Sequence, residues 1–186
     1  MSKTSAPLPG FNAPSVGFEQ PFEMLEACHQ RVQRSLNLLR RVRQHIAQHG
    51  HDADSRSAIT DVLRYFDLAG PLHHQDEELH IFPALQHHPD AAVRAAAAEL
   101  QADHLRMHAQ WSRLRQVLLR WQTDPAAPPP CGQDDALIDE FIDGYQRHIQ
   151  QEETVAYPAA RPAFDAARLR DIGGEMAHRR HQNRSP

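Results

Sequence analysis

Four stretches of this chain repeat apolar residues every three or four positions, and each breaks that repeat with ionisable residues. The first stretch runs through Phe22, Leu25, Val32, Leu36, Leu39, Val42 and Ile46. The second holds Ile59, Val62, Phe66 and Ala69, pauses at Gly70-Pro71 and resumes through Ile81. The third carries Val93, Leu100, Met107, Trp111, Leu114, Leu118 and Trp121, and the fourth Leu137, Phe141, Tyr145 and Val155. Such spacing lays apolar side chains along one face of a long α-helix. No segment alternates with a period of two, so the sequence predicts an all-α fold. Gly50-His51-Asp52 separates the first two stretches, Pro83 and Pro89 bracket the end of the second, and the proline-rich residues 123–133 form a linker before the fourth. Pro71 should kink or restart its helix. The expected organisation is an irregular arm over 1–20, an up-down-up-down four-helix bundle over 21–158, and a C-terminal extension over 159–186. A short helix over 165–177 in that extension is expected to break at Gly173-Gly174.

The residues that interrupt the apolar faces are metal ligands by chemistry. His29 fills the missing step of the first stretch, and His73 then Glu77 continue the second. His104 and His108 follow Leu100 in the third, and His148 and Glu152 follow Tyr145 in the fourth. Burying such groups without partners costs several kcal/mol each, on the order of 1–3 even for a neutral polar group. A metal removes the conflict by taking neutral imidazoles and carboxylates as ligands. His73 with Glu77, His104 with His108, and His148 with Glu152 are i, i+4 pairs on one helix face. His29 lies about as far before the first turn as His73 lies after it, and His108 and His148 match in the same way about the linker. The connection between the second and third helices is out of step by about four residues, ~6 Å of helical rise. In a bundle, the four sets would then meet near one level.

The sequence also echoes itself. Residues 73–83 and 148–158 both read H-x3-E-E-x3-aromatic-P, ending in Phe82-Pro83 and Tyr157-Pro158. A shift of one residue would replace His73 and Glu77 by the equally spaced His74 and Glu78; the matching aromatic-proline ends favour His73 and Glu77. With His29, His104 and His108 on the remaining helices, the chain resembles the hemerythrin-like, or HHE cation-binding, family from about residue 22 to 158.

That resemblance implies a four-helix bundle around a non-haem centre of two iron ions with an oxo or hydroxo bridge. Carried over by position, it implies His104, His108 and His148 on one iron, His29 and His73 on the other, and Glu77 and Glu152 bridging them. Oxygen-carrying members use an aspartate five residues after the fourth-helix histidine, whereas here +4 is Glu152 and +5 is Glu153. Glu152 is the expected bridge because +4 stays on the histidine's face of an α-helix. The implied function is binding of dioxygen or nitric oxide at an open iron position, as carrier, scavenger or sensor. The alternatives are a di-iron enzyme or repair factor acting on nitric oxide, peroxide or damaged iron-sulfur centres, and a protein that stores or senses iron. A redox or signalling partner would accompany several of these roles. Tyr65 and Tyr145 are the tyrosines expected near the centre, as packing or as hydrogen-bond donors.

Composition excludes other classes. The chain has 186 residues, 14 of them histidine, and a formal net charge of -4 with its basic residues scattered, so nucleic acid is not an expected partner. Two cysteines, Cys28 and Cys131, form no CxxC pair. No apolar run approaches the ~18 residues of a membrane span. The N-terminus lacks the apolar segment of a signal peptide, so a cytoplasmic location is expected. A ferritin-like carboxylate site, suggested by Glu26-x-x-His29 and Glu77-x-x-His80, fails because the fourth helix has no such element. A zinc hydrolase would need HExxH, which is absent.

Overall fold

The computed structural model describes residues 17–182, so most of the expected N-terminal arm lies outside the described residues. Among these residues every regular element is helical. Helix α1 spans Pro21–His49. Helix α2 covers residues 53–86 as one run of three α-helical pieces, Ala53–Arg64, Gly70–Asp76 and Phe82–Gln86, joined by the π-turns Tyr65–Ala69 and Glu77–Ile81. Helix α3 is Ala91–Thr123. Helix α4 covers 133–160, with a π-turn at Glu152–Ala156 between Gln133–Gln151 and Tyr157–Ala160. Helix α5 is Ala166–Gln182. Asp52 starts α2 by accepting from the Ser55 N–H while the Ser55 hydroxyl accepts from the Asp52 N–H, and Asp90 caps α3 through the Ala92 N–H.

The three π-turns share one cause. Each ends two residues before a proline: Pro71, Pro83 and Pro158. Proline has no N–H for the helical ladder, and its ring collides with the carbonyl four residues back. Closing the preceding turn over five residues relieves that collision. The N–H groups of Gly70, Phe82 and Tyr157 therefore bond the carbonyls of Tyr65, Glu77 and Glu152. Pro71 thus neither breaks nor ends α2; it is absorbed by the widened turn before it.

Helices α1 to α4 pack neighbour against neighbour, with α4 returning to α1, an arrangement compatible with a four-helix bundle. Their apolar side chains form two cores. One holds Leu36, Leu39, Ile59, Phe66, Leu114, Trp121 and Phe141, and the other Phe22, Leu25, Ile81, Phe82, Leu100 and Tyr157. Between the two cores, each helix contributes its buried ionisable residues, so a polar layer is enclosed on both sides.

Helix α5 differs from expectation: it runs straight through Gly173-Gly174. Gly173 is there for close approach, because a Cβ at this position would overlap the Phe18 carbonyl oxygen. Gly173→Ala should therefore push α5 off the bundle. Backbone hydrogen exchange should accelerate over 166–182 while α1–α4 keep their protection; unchanged exchange in α5 would contradict this packing.

Candidate metal centre

The polar layer is built by one histidine from α1, one from α3, and one echoed segment from each of α2 and α4. His29, His73, His104, His148, Glu77 and Glu152 are all buried, the two carboxylates to 0% exposure. Their ligand atoms form two overlapping groups, His29, His73, Glu77 and Glu152 in one, and Glu77, His104, His148 and Glu152 in the other. Within each group the atoms lie within 4.8 Å of one another. His74, His104 and His148 make a third set, of three residues and equally close, which adds His74 to the second side.

Each carboxylate divides its two oxygens between the two sides. Glu152 Oε2 is 3.1 Å from His29 Nε2, and its Oε1 is 2.8 Å from His148 Nε2. Glu77 Oε1 is 3.5 Å from His73 Nε2, and its Oε2 is 3.5 Å from His104 Nε2. Yet Glu77 Oε2, both oxygens of Glu152, His73 Nδ1 and His74 Nε2 are buried without a well-aligned hydrogen bond. A buried carboxylate left that way is costly, and a cation between the groups satisfies it.

The electrostatics describe the same need. Burial pushes His73 and His74 far below the usual histidine range, so both are neutral, the form a metal requires. Burial also disfavours charge on His29 and His148, but adjacent carboxylates outweigh it. Glu152 and Glu153 hold His29 up at about 9, and Glu152 with Asp103 holds His148 up at about 10. Burial and the neighbouring Glu152 charge raise Glu77 to about 7. Burial opposes charge on Glu152 too, yet His148 and His29 hold its carboxyl well below the ordinary range. Protons thus sit where a cation would supply positive charge.

A profile of the hemerythrin HHE cation-binding domain matches residues 20–160. The chain belongs to the hemerythrin HHE cation-binding family. An uncharacterized protein of Haemophilus influenzae (strain ATCC 51907 / DSM 11121 / KW20 / Rd) is 32% identical over 163 residues, 88% of this chain and 91% of its own length. Membership implies a metal-binding protein, and the buried His/Glu groups are suited to that. No helix among the described residues is long and apolar enough to cross a membrane.

One expected residue stands apart in this hemerythrin domain. His108 is exposed, outside the polar layer. The buried face of α3 steps from His104 to Met107 and Trp111, and that three-residue step turns position 108 to solvent. Its place is taken by His74 from α2, whose ring stacks on His104 at 3.9 Å between centroids. Consecutive helical residues diverge by about 100°. His73 therefore reaches toward His29 on α1 while His74 reaches toward His104 on α3. The remaining expected positions, His29, His73, Glu77, His104, His148 and Glu152, are brought together. His80 is buried but faces α5, next to Arg179 and Glu175.

The domain also contains a central residue that the periodic reading did not select. The Tyr157 hydroxyl donates to Glu77 Oε1 and lies 3.2 Å from His29 Nε2. In an α-helix, a residue five positions after Glu152 swings away from it; the π-turn brings it back into line. Phe82 holds the equivalent place after Glu77 and packs its ring on His104 at 5.2 Å. The His29 side thus has a phenol where the His104 side has a hydrocarbon ring. Tyr65 lies farther out, its hydroxyl 3.4 Å from the Cys28 carbonyl, and Tyr145 packs against Phe66, Phe141 and His74.

Proposed function

We propose that this domain holds two iron ions bridged by Glu77 and Glu152, and that it binds dioxygen or nitric oxide on the side of His29 and His73. The observation that carries the reading is the division of each buried carboxylate between two histidine groups. His104, His148 and His74 would complete one position, and His29 and His73 the other, with an oxo or hydroxo group as the further bridge. An up-down-up-down course of the four helices belongs to the same reading. It is supported by paired contacts that ascend one helix as they descend the next: Asp67 with Trp111 and Glu78 with His104, then His104 with His148 and Arg120 with Asp134.

Bound iron would supply reversible valence change and affinity for a diatomic gas. The chain's own residues supply the rest. Two apolar cores exclude water on either side of the polar layer. Glu77 and Glu152 balance the cation charge, and neutral His73 and His74 donate without having to lose a proton. The two-histidine side has one protein ligand fewer, which makes it the side for a small ligand. Tyr157 stands there with a hydroxyl able to hydrogen-bond an added oxygen or nitrogen atom. The same phenol favours a second reading, turnover of peroxide or nitric oxide with an external reductant, because it places a proton donor inside a dry site.

Anaerobic loading with ferrous iron should give about two irons per chain, as carboxylate-bridged bundle sites hold. Dioxygen or nitric oxide should then produce a visible absorption band that disappears when the gas is removed. Iron that fails to exceed about one per chain would overturn the two-metal reading. Steady consumption of gas or peroxide with a reductant would replace reversible binding by turnover.

A further inference from the structure

The doubled glutamate of each echoed segment has a second member with no place among the groups just described. Glu78 and Glu153 are 44% and 46% exposed, and each reaches across a helix interface to a buried histidine. His104 Nδ1 donates to Glu78 Oε1 at 2.8 Å, and His29 Nδ1 donates to Glu153 Oε1 at 2.8 Å. The contacts are equal in length and made by equivalent residues of the repeat, Glu78 of α2 on α3 and Glu153 of α4 on α1.

These two histidines need such a partner. α1 and α3 each supply one histidine to the layer, without a carboxylate one turn later: Gln33 follows His29, and His108 follows His104. A carboxylate facing Nδ1 can only accept, so in the neutral ring that a metal requires, the hydrogen is fixed on Nδ1 and the lone pair on Nε2. Nε2 is the atom that faces the inner carboxylates, 3.1 Å from Glu152 for His29 and 3.5 Å from Glu77 for His104. Outer carboxylates of this kind orient a ligating ring and raise its basicity.

We infer that Glu78 and Glu153 are paired positioning residues, one for each metal position. Glu153 sets the ring and tautomer of His29, and Glu78 those of His104. The H-x3-E-E pattern thus encodes an inner carboxylate followed by an outer one that serves the neighbouring helix. This inference rests on the two-metal reading.

Zinc, which is diamagnetic, tests it in the full-length chain by chelator competition and by long-range proton–nitrogen spectra of the histidine rings. Glu153→Ala should weaken one of two zinc positions by about 10- to 100-fold. It should shift the His29 Nδ1–H resonance and leave that of His104 in place. Glu78→Ala should do the reverse, and Glu140→Gln, at an exposed position of α4, should do neither. Glu153→Gln, whose amide oxygen can accept the same hydrogen, should recover part of the affinity. Two zinc ions bound by both alanine variants with wild-type affinity and unshifted resonances would overturn the inference alone. Equal disturbance of both rings by either variant would also overturn it, since that marks a general loosening. A wild-type protein that binds no zinc would remove the two-metal reading and this inference together.

Discussion

Glu152→Ala is expected to empty both metal positions together, while His108→Ala leaves both filled. Glu152 belongs to both ligand groups and gives one oxygen to each side, so its loss removes a ligand from each position at once. Affinity at each should fall by more than the ~100-fold upper range for losing an outer carboxylate. His74→Ala should instead affect one position, because its ring belongs only to the set with His104 and His148. Metal analysis after dialysis against a competing chelator distinguishes the three variants. Loss of metal in His108→Ala with none in His74→Ala would return the ligand set to the one read from helical periodicity. The same geometry fixes a pH dependence. His29 and His148 carry protons well above neutrality in the metal-free protein, at about 9 and about 10, and bound metal must displace them. Uptake at neutral pH should release protons, and apparent affinity should fall as pH falls.

Much of the polar layer was legible because it depends on α-helical period and on nothing else. His29, His73, Glu77, His104, His148 and Glu152 interrupt apolar faces that a 3.6-residue repeat defines well. His108 shows where that logic is degenerate. From His104 to Trp111, a face can step four then three or three then four, and both keep the period. Met107 is apolar and fills the seam, so the three-residue step wins and position 108 turns outward. His74 then enters from α2, where one π-turn precedes it and another begins at Glu77.

Tyr157 was hidden for a related reason. An i+5 relation is meaningless in an α-helix, and only the proline that follows, acting backwards on the turn, makes it meaningful. The signal lies in the echoed aromatic-proline ends, whose effect is to widen the turn before them. Glu152 and Glu153 do not compete for one role: the first faces the layer and the second meets His29 from outside. Cross-helix partners of this kind depend on which helices are neighbours, information that no single helix's sequence carries. The continuity of α5 through Gly173-Gly174 is likewise tertiary, because the close approach to Phe18 overrides glycine's poor helix propensity.

Asp76→Ala is expected to be strongly destabilising although it lies outside the polar layer. Asp76 is 1% exposed and meets two arginines of α5, Arg179 at 2.7 Å and Arg180 at 2.6 Å. Their side chains are only 15% and 18% exposed, so truncating the shared carboxylate removes a buried counter-charge from two poorly hydrated cations, of which Arg179 keeps Glu175 at 3.7 Å. Removing one partner of a buried ion pair costs about 3–5 kcal/mol. For a chain of this size, each kcal/mol corresponds to about 2–4 °C in melting temperature. The expected fall is therefore on the order of 6–20 °C. Glu23→Ala, which breaks an exposed pair with Arg161, should cost no more than about 1 kcal/mol and serves as the comparison. The loss should be local as well as large, because α5 is held by this pair, by the Gly173 contact and by the buried Ile172 and Met176. Unchanged exchange over 166–182 with a melting point lowered by only about 2 °C or less would show that α5 is anchored by apolar contact alone. A large fall would identify the ion pair as the clamp, and would place it one residue before Glu77, so that the helix outside the bundle and the carboxylate inside it share the same turn of α2.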